Sequence, residues 1–116
     1  MGQELTSRGA GTYWYLPPEV FEGSLISSKV DVWSVGCMLY QMVYGGRPFG
    51  AGMSQEDFLR KRAFEKARNL EFPTDRRVSD ECKSFIKRCL AYRPQDRPDV
   101  FQALEEPYMA NFRQKK

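Results

Sequence analysis

The run from Lys29 to Tyr44 limits what this chain can fold into more than any other segment. Val30, Val32, Trp33, Val35, Cys37, Met38, Leu39, Tyr40, Met42, Val43 and Tyr44 leave it almost no polar face. A helix that is apolar all round cannot lie on a surface, and at about 1.5 Å per residue this one falls short of a bilayer core of about 30 Å. The expectation is a helix in the middle of a domain, wrapped by its neighbours. Ser28 followed by Asp31 reads as a capping box at its start, and Gly45-Gly46 with Pro48 as its stop.

The other segments are arranged as that helix requires. Residues 1 to 15 carry Gly2, Gly9 and Gly11 with no periodicity and read as an irregular loop that Pro17-Pro18 ends. Glu19 to Glu22 suits a single helical turn, because Pro18 fits a first helical position. After a turn at Gly50 to Met53, Ser54-x-x-Asp57 opens a second long helix predicted to run to about Arg68. Its Arg60, Lys61 and Arg62, like Arg76 and Arg77 further on, read as a solvated face more than a basic docking patch, since acids interleave with them. Ser79 caps a third helix, Asp80 to Leu90, whose Cys82, Phe85, Ile86, Cys89 and Leu90 recur at the spacing of one buried face. Asp99-x-x-Gln102 opens a short fourth helix with Val100, Phe101 and Leu104, which Pro107 closes. No segment alternates as a strand does, so the fold class is mainly α.

With 116 residues the chain is sized for one domain, and it contains no histidine. That zero removes Ser-His-Asp and Cys-His triads, histidine metal sites and any imidazole acid or base. Three cysteines cannot all pair, none forms C-x-x-C, and Cys82 and Cys89 on one helix would stand about 10 Å apart. Reduced, buried thiols in an intracellular protein are the expectation, with no metal site. Eighteen basic against fifteen acidic residues leave +3, dispersed along the chain, which is not the footprint of a nucleic-acid binder. No signal-peptide pattern or span of eighteen apolar residues occurs, so no membrane partner is expected.

Four local patterns, in one order, carry a resemblance. Gly11-Thr12-Tyr13-Trp14-Tyr15-Leu16-Pro17-Pro18-Glu19 resembles the end of a protein-kinase activation segment. Asp31-Val32-Trp33-Ser34-Val35-Gly36 is similar to the central helix of the kinase large lobe. Arg47-Pro48-Phe49 matches the Pro-Phe after that helix, and Arg93-Pro94-Gln95-Asp96-Arg97-Pro98 the late arginine motif. In detail the chain resembles the tousled-like serine/threonine kinases, including Pro17 where most kinases have alanine. Neither a glycine-rich loop before a strand, nor Val-Ala-x-Lys, His-Arg-Asp or Asp-Phe-Gly is present.

The resemblance implies a partial protein kinase domain: residues 1 to 19 the end of the activation segment, 20 to 112 the helical remainder of the large lobe, 113 to 116 a basic tail. The small lobe and catalytic loop are expected to be absent. No residue here is then catalytic, and this chain holds no cofactor, whereas the parent enzyme would use ATP and magnesium. Thr12, Tyr13, Tyr15 and Leu16 would position a protein substrate. Thr6 and Ser7 are candidates for activating phosphorylation, with ordinary polar loop residues as the alternative. Glu19 and Arg97 would form a buried ion pair across 78 positions, and Asp31 and Trp33 would support the central helix. Substrates in the resembled group are nuclear and chromatin-linked. The missing small lobe is a further expected partner. If upstream helices are lacking, one face of the central helix is expected to stay open, or to be buried by self-association. A stand-alone helical interaction module is the rival reading.

Overall fold

The computed structural model describes residues 13–24 and 26–109, with the side chain of Tyr13 left aside. Five α-helices follow in order: α1 (Pro18–Phe21), α2 (Lys29–Tyr44), α3 (Gln55–Arg60), α4 (Asp80–Cys89) and α5 (Val100–Glu105). Tight 3-10 turns lie at Tyr13–Tyr15, Ala63–Asn69 and Pro94–Asp96, and no strand occurs among the described residues. None of these helices is long and apolar enough to cross a membrane.

Helix α2 is the axis of the fold. Trp33, Cys37 and Tyr40 on one side of it are buried with Phe49, Phe58 of α3, Phe64, Leu70, and Cys82 and Ile86 of α4. Full burial of side chains of this size contributes roughly 1.5–3 kcal/mol each before the entropy of ordering them is counted. Helix α4 packs closely along α2 because position 36 is glycine. A β-carbon there would meet the Cys89 β-carbon at 2.7 Å. At its far end α2 stops at Gly45, whose φ of 86° is left-handed and whose N–H closes on the Gln41 carbonyl.

Three of the four predicted caps form. Ser54 accepts from the Asp57 N–H, Ser79 from the Cys82 N–H, and Asp99 and Gln102 make a reciprocal capping box. The capping box at Ser28 does not. Ser28 is already helical, at φ −64° and ψ −11°, so its hydroxyl makes no cap bond. The Ser27 hydroxyl accepts from the Lys29 N–H instead. Asp31 is therefore an exposed first-turn carboxylate, favourable toward the helix dipole and not half of a box.

The predicted helix from Ser54 to Arg68 is broken. α3 ends at Arg60, Arg62 turns left-handed, and the chain resumes as a 3-10 segment that buries Ala63 and Phe64. Pro107 closes the fourth helix as expected: α5 ends at Glu105, because Glu106, the residue before the proline, is held extended at ψ 147°, and Pro107 itself begins a further helical turn over 107–109.

One face of α2 is open: the helix is not wrapped on every side, as its composition alone suggests, and instead shows the open face expected if upstream helices are lacking. Met38 is 48% and Met42 78% exposed. α5 is only six residues long and shields one edge of this face. The result is an apolar groove of about 560 Å³ between Val35, Met38 and Met42 of α2, Phe85 and Cys89 of α4, and Ala103 and Leu104 of α5.

Candidate substrate-positioning site

The segment from Tyr13 to Glu19 lies along α2 and is tied to it at several points. Ser34 Oγ donates to the Tyr15 carbonyl at 3.0 Å, and Cys37 Sγ lies 3.7 Å from the Trp14 carbonyl as donor. Burial pushes the Cys37 thiol well above its ordinary value of 9.0, so it stays protonated and able to donate. The Tyr15 hydroxyl donates to Gln41 Oε1 at 2.7 Å. The helical spacing of Ser34, Cys37 and Gln41 places all three on one side of α2, and that side carries the loop.

Trp14 fixes the other flank. The Arg47 guanidinium lies 3.7 Å from the centre of the indole, while the Phe58 ring meets it edge-on at 5.3 Å. Arg47 also donates to the Gly50 carbonyl at 3.1 Å, which joins the loop to the α2–α3 connection. Sequence reasoning passed over both Trp14 and Arg47. Their contact spans 33 positions, and no local spacing announces it.

The loop then enters α1 through buried Pro17 and Pro18, and Glu19 is buried at 2% exposure beside Arg97 at 1%. Two bonds join them, from Arg97 Nη1 at 2.7 Å and Nη2 at 3.1 Å. The rest of the guanidinium is also used, by the carbonyls of Lys29, Ala91 and Tyr92 at 3.0–3.2 Å. The plane stands 5.0 Å from the Trp33 ring, which stacks in turn on Phe49 at 5.4 Å. A buried charge is tolerated when paired and fully hydrogen-bonded, and both conditions hold here. One arginine thus fastens α1, the start of α2 and the segment after α4 to one point.

Of the positions singled out in the sequence, Tyr15 and half-buried Leu16 lie in this loop, Tyr13 contributes its backbone, and Glu19, Arg97 and Trp33 meet beneath it. Asp31 stays apart, at the edge of the apolar groove. Thr6, Ser7 and Thr12 lie outside the described residues. The basic positions do not gather: Arg60 pairs with Asp57, Arg62 with Glu22 and Glu65, and Arg76 donates to the Val43 carbonyl.

ATP and magnesium do not fit the apolar groove. The apolar groove offers a single carboxylate, Asp31, and no lysine or arginine for phosphates. No three metal-ligating side chains gather anywhere in the described part. What the site can do is hold a loop rigidly at the edge of a helical lobe.

A loop fastened to a mostly apolar central helix, with a late arginine pinned beneath it, is consistent with the large lobe of a protein kinase. The chain belongs to the protein kinase domain family, whose pattern it matches over residues 1–109. Within that family it is 57% identical over 113 residues to serine/threonine-protein kinase TOUSLED of Arabidopsis thaliana. It is 54% identical over 112 residues to tousled-like 1 of Homo sapiens, and 49% identical over 104 residues to tousled-like 1 of Caenorhabditis elegans. These alignments take in 94%, 93% and 88% of this chain but 16%, 15% and 11% of the relatives. The chain therefore spans less than a fifth of their length.

Proposed function

We propose that this chain is the substrate-facing part of the large lobe of a serine/threonine kinase, which transfers the γ-phosphoryl group of Mg-ATP to serine or threonine hydroxyls of proteins. Residues 12–16 bear on the segment that follows the target hydroxyl, and Thr6 and Ser7 are the positions whose phosphorylation would order the loop. ATP, magnesium and the catalytic base belong to residues outside this sequence, and the chain alone has no kinase activity. By resemblance to the tousled-like group, its substrates are chromatin-associated proteins and its place is the nucleus. The observation that carries the reading is the Arg97–Glu19 joint, which fixes the loop's exit at the base of the lobe.

The test is a chimera in which this chain replaces the matching 112 residues of human tousled-like 1. Retained phosphorylation of a serine or threonine peptide supports the reading, and a folded but inactive chimera overturns it. The isolated chain is expected to show no thermal shift with Mg-ATP, and a clear shift would contradict the assignment of nucleotide binding elsewhere.

The open groove favours a second reading, a helical interaction module that covers its apolar face by self-association. Sedimentation of the isolated chain tests it: a concentration-independent monomer removes this second reading, whereas self-association is compatible with both.

A further inference from the structure

Arg62 is the only described residue other than glycine with a left-handed backbone, at φ 50° and ψ 58°. It stands just past the end of α3, where glycine takes this conformation without strain. The arginine brings long-range contacts that glycine could not. Its Nη2 lies 2.7 Å from Glu22 Oε2 and 3.5 Å from the Tyr92 hydroxyl, and its Nε donates to Glu65 Oε2 at 2.9 Å. The Tyr92 hydroxyl donates to Glu22 as well. Arg68 completes the cluster, bonded to Glu65 at 3.1 Å and lying 3.8 Å over the Tyr92 ring. Strain retained at a residue whose side chain reaches two distant segments, at Glu22 and Tyr92, points from conformation to role.

Glu22 lies one helical turn after Glu19, so two arginines grip the single turn of α1: Arg97 from within at Glu19, Arg62 from outside at Glu22. Both also reach the segment after α4, Arg97 at the carbonyls of Ala91 and Tyr92, Arg62 at the Tyr92 hydroxyl. Phe21 of α1 also packs on Phe58 and Phe64, at 5.9 and 5.0 Å between ring centres, so Arg97 and these apolar contacts seat the inner side of the turn and Arg62 adds a polar hold at its outer end. Because α1 continues directly from Tyr15-Leu16-Pro17, its rotation sets the angle of that loop. We propose that Arg62 is a positioning residue for the substrate loop, the outer half of a two-point arginine clamp on α1. The loop's role in holding substrate rests on the function proposed above; the clamp itself does not.

The experiment has two arms. In the 116-residue chain, amide hydrogen exchange is followed at Glu22 and Ser24, whose N–H groups bond to the Pro18 and Glu19 carbonyls. Arg62→Gly relieves the backbone while removing the clamp, and Glu22→Gln leaves the backbone at position 62 untouched, so it stays informative should the first variant fold poorly. Both are expected to speed exchange at these amides by about three- to tenfold, and the double variant by no more than either single one. Unchanged exchange in Glu22→Gln, or effects confined to residues 55–69 in Arg62→Gly, would overturn the clamp. In the chimera, Arg62→Gly is expected to raise KM for a peptide substrate by about three- to tenfold with kcat little changed, and Arg62→Lys to recover part of the loss. Faster exchange with KM unmoved would overturn the positioning role. An unsubstituted chimera without activity would count against the proposed function alone, since the exchange arm reads the clamp independently.

Discussion

Gly36 on α2 and Cys89 on α4 lie so close that the helices touch backbone to side chain, with room for a hydrogen and none for a methyl group. Gly36→Ala should therefore destabilise the chain by about 1–2 kcal/mol, the overpacking cost exceeding the roughly 1 kcal/mol gained in helix propensity. Gly46→Ala is the control, because nothing lies within 4 Å of a β-carbon there. It should stay within about 0.5 kcal/mol of the parent in urea unfolding. Equal effects at the two positions would refute the close packing.

Removing one partner of the Arg97–Glu19 pair leaves the other buried and charged. Arg97→Ala is expected to cost about 3–5 kcal/mol. Arg97→Lys should recover only part, since an ammonium keeps the charge but cannot span the carboxylate and the Lys29, Ala91 and Tyr92 carbonyls together. Thermal melts of the two variants check both statements, and an unchanged Tm for Arg97→Ala would refute them.

The caps predict a sharp contrast between serines. Ser79→Ala should lose about 1 kcal/mol, because its hydroxyl satisfies the Cys82 N–H. Ser28→Ala should lose less than about 0.5 kcal/mol, because its side chain caps nothing. Urea midpoints of the two variants measure the difference.

The thiols set an alkaline limit. Burial, with Glu106 nearby, pushes Cys89 from 9.0 up to about 12, and burial raises Cys37 further. A folded-state value above the unfolded one means that the native chain holds its proton more tightly. The stabilisation is complete below pH 9 and is lost as pH rises toward 12. Each thiol should contribute a fall of about 1.4 kcal/mol per pH unit across that window. Urea unfolding at pH 8 through 11 checks the slope, which Cys89→Ala should make shallower. The raised tyrosines Tyr40, Tyr44, Tyr92 and Tyr108 steepen the decline above pH 10.

Features read from local spacing succeeded where the structure is local. Ser54, Ser79 and Asp99 cap helices because each side chain reaches an N–H three residues on, a distance that sequence displays. Ser28 misled because Ser27 beside it offers the same chemistry one residue earlier. The break at Arg62 gave no warning, since neither glycine nor proline marks it and the stabilising partners, Glu22 and Tyr92, lie 40 and 30 positions away. Glu19 and Arg97 were paired only through the family resemblance. Trp14 and Arg47 lie inside the motifs that carry the resemblance, but nothing in those motifs shows that the two side chains meet.

The open face of α2 bears on how the chain meets oxidants. All three cysteines are buried and free, and raised thiol values keep Cys37 and Cys89 protonated at neutral pH. Among the described residues, the most exposed sulfur-bearing side chains are Met38 and Met42. Peroxide therefore reaches thioethers before thiols, and the first products are sulfoxides on the groove wall, not disulfides. Each converts an apolar contact into a polar one, so mild oxidation would erase the stickiness of that surface while leaving the core cysteines reduced.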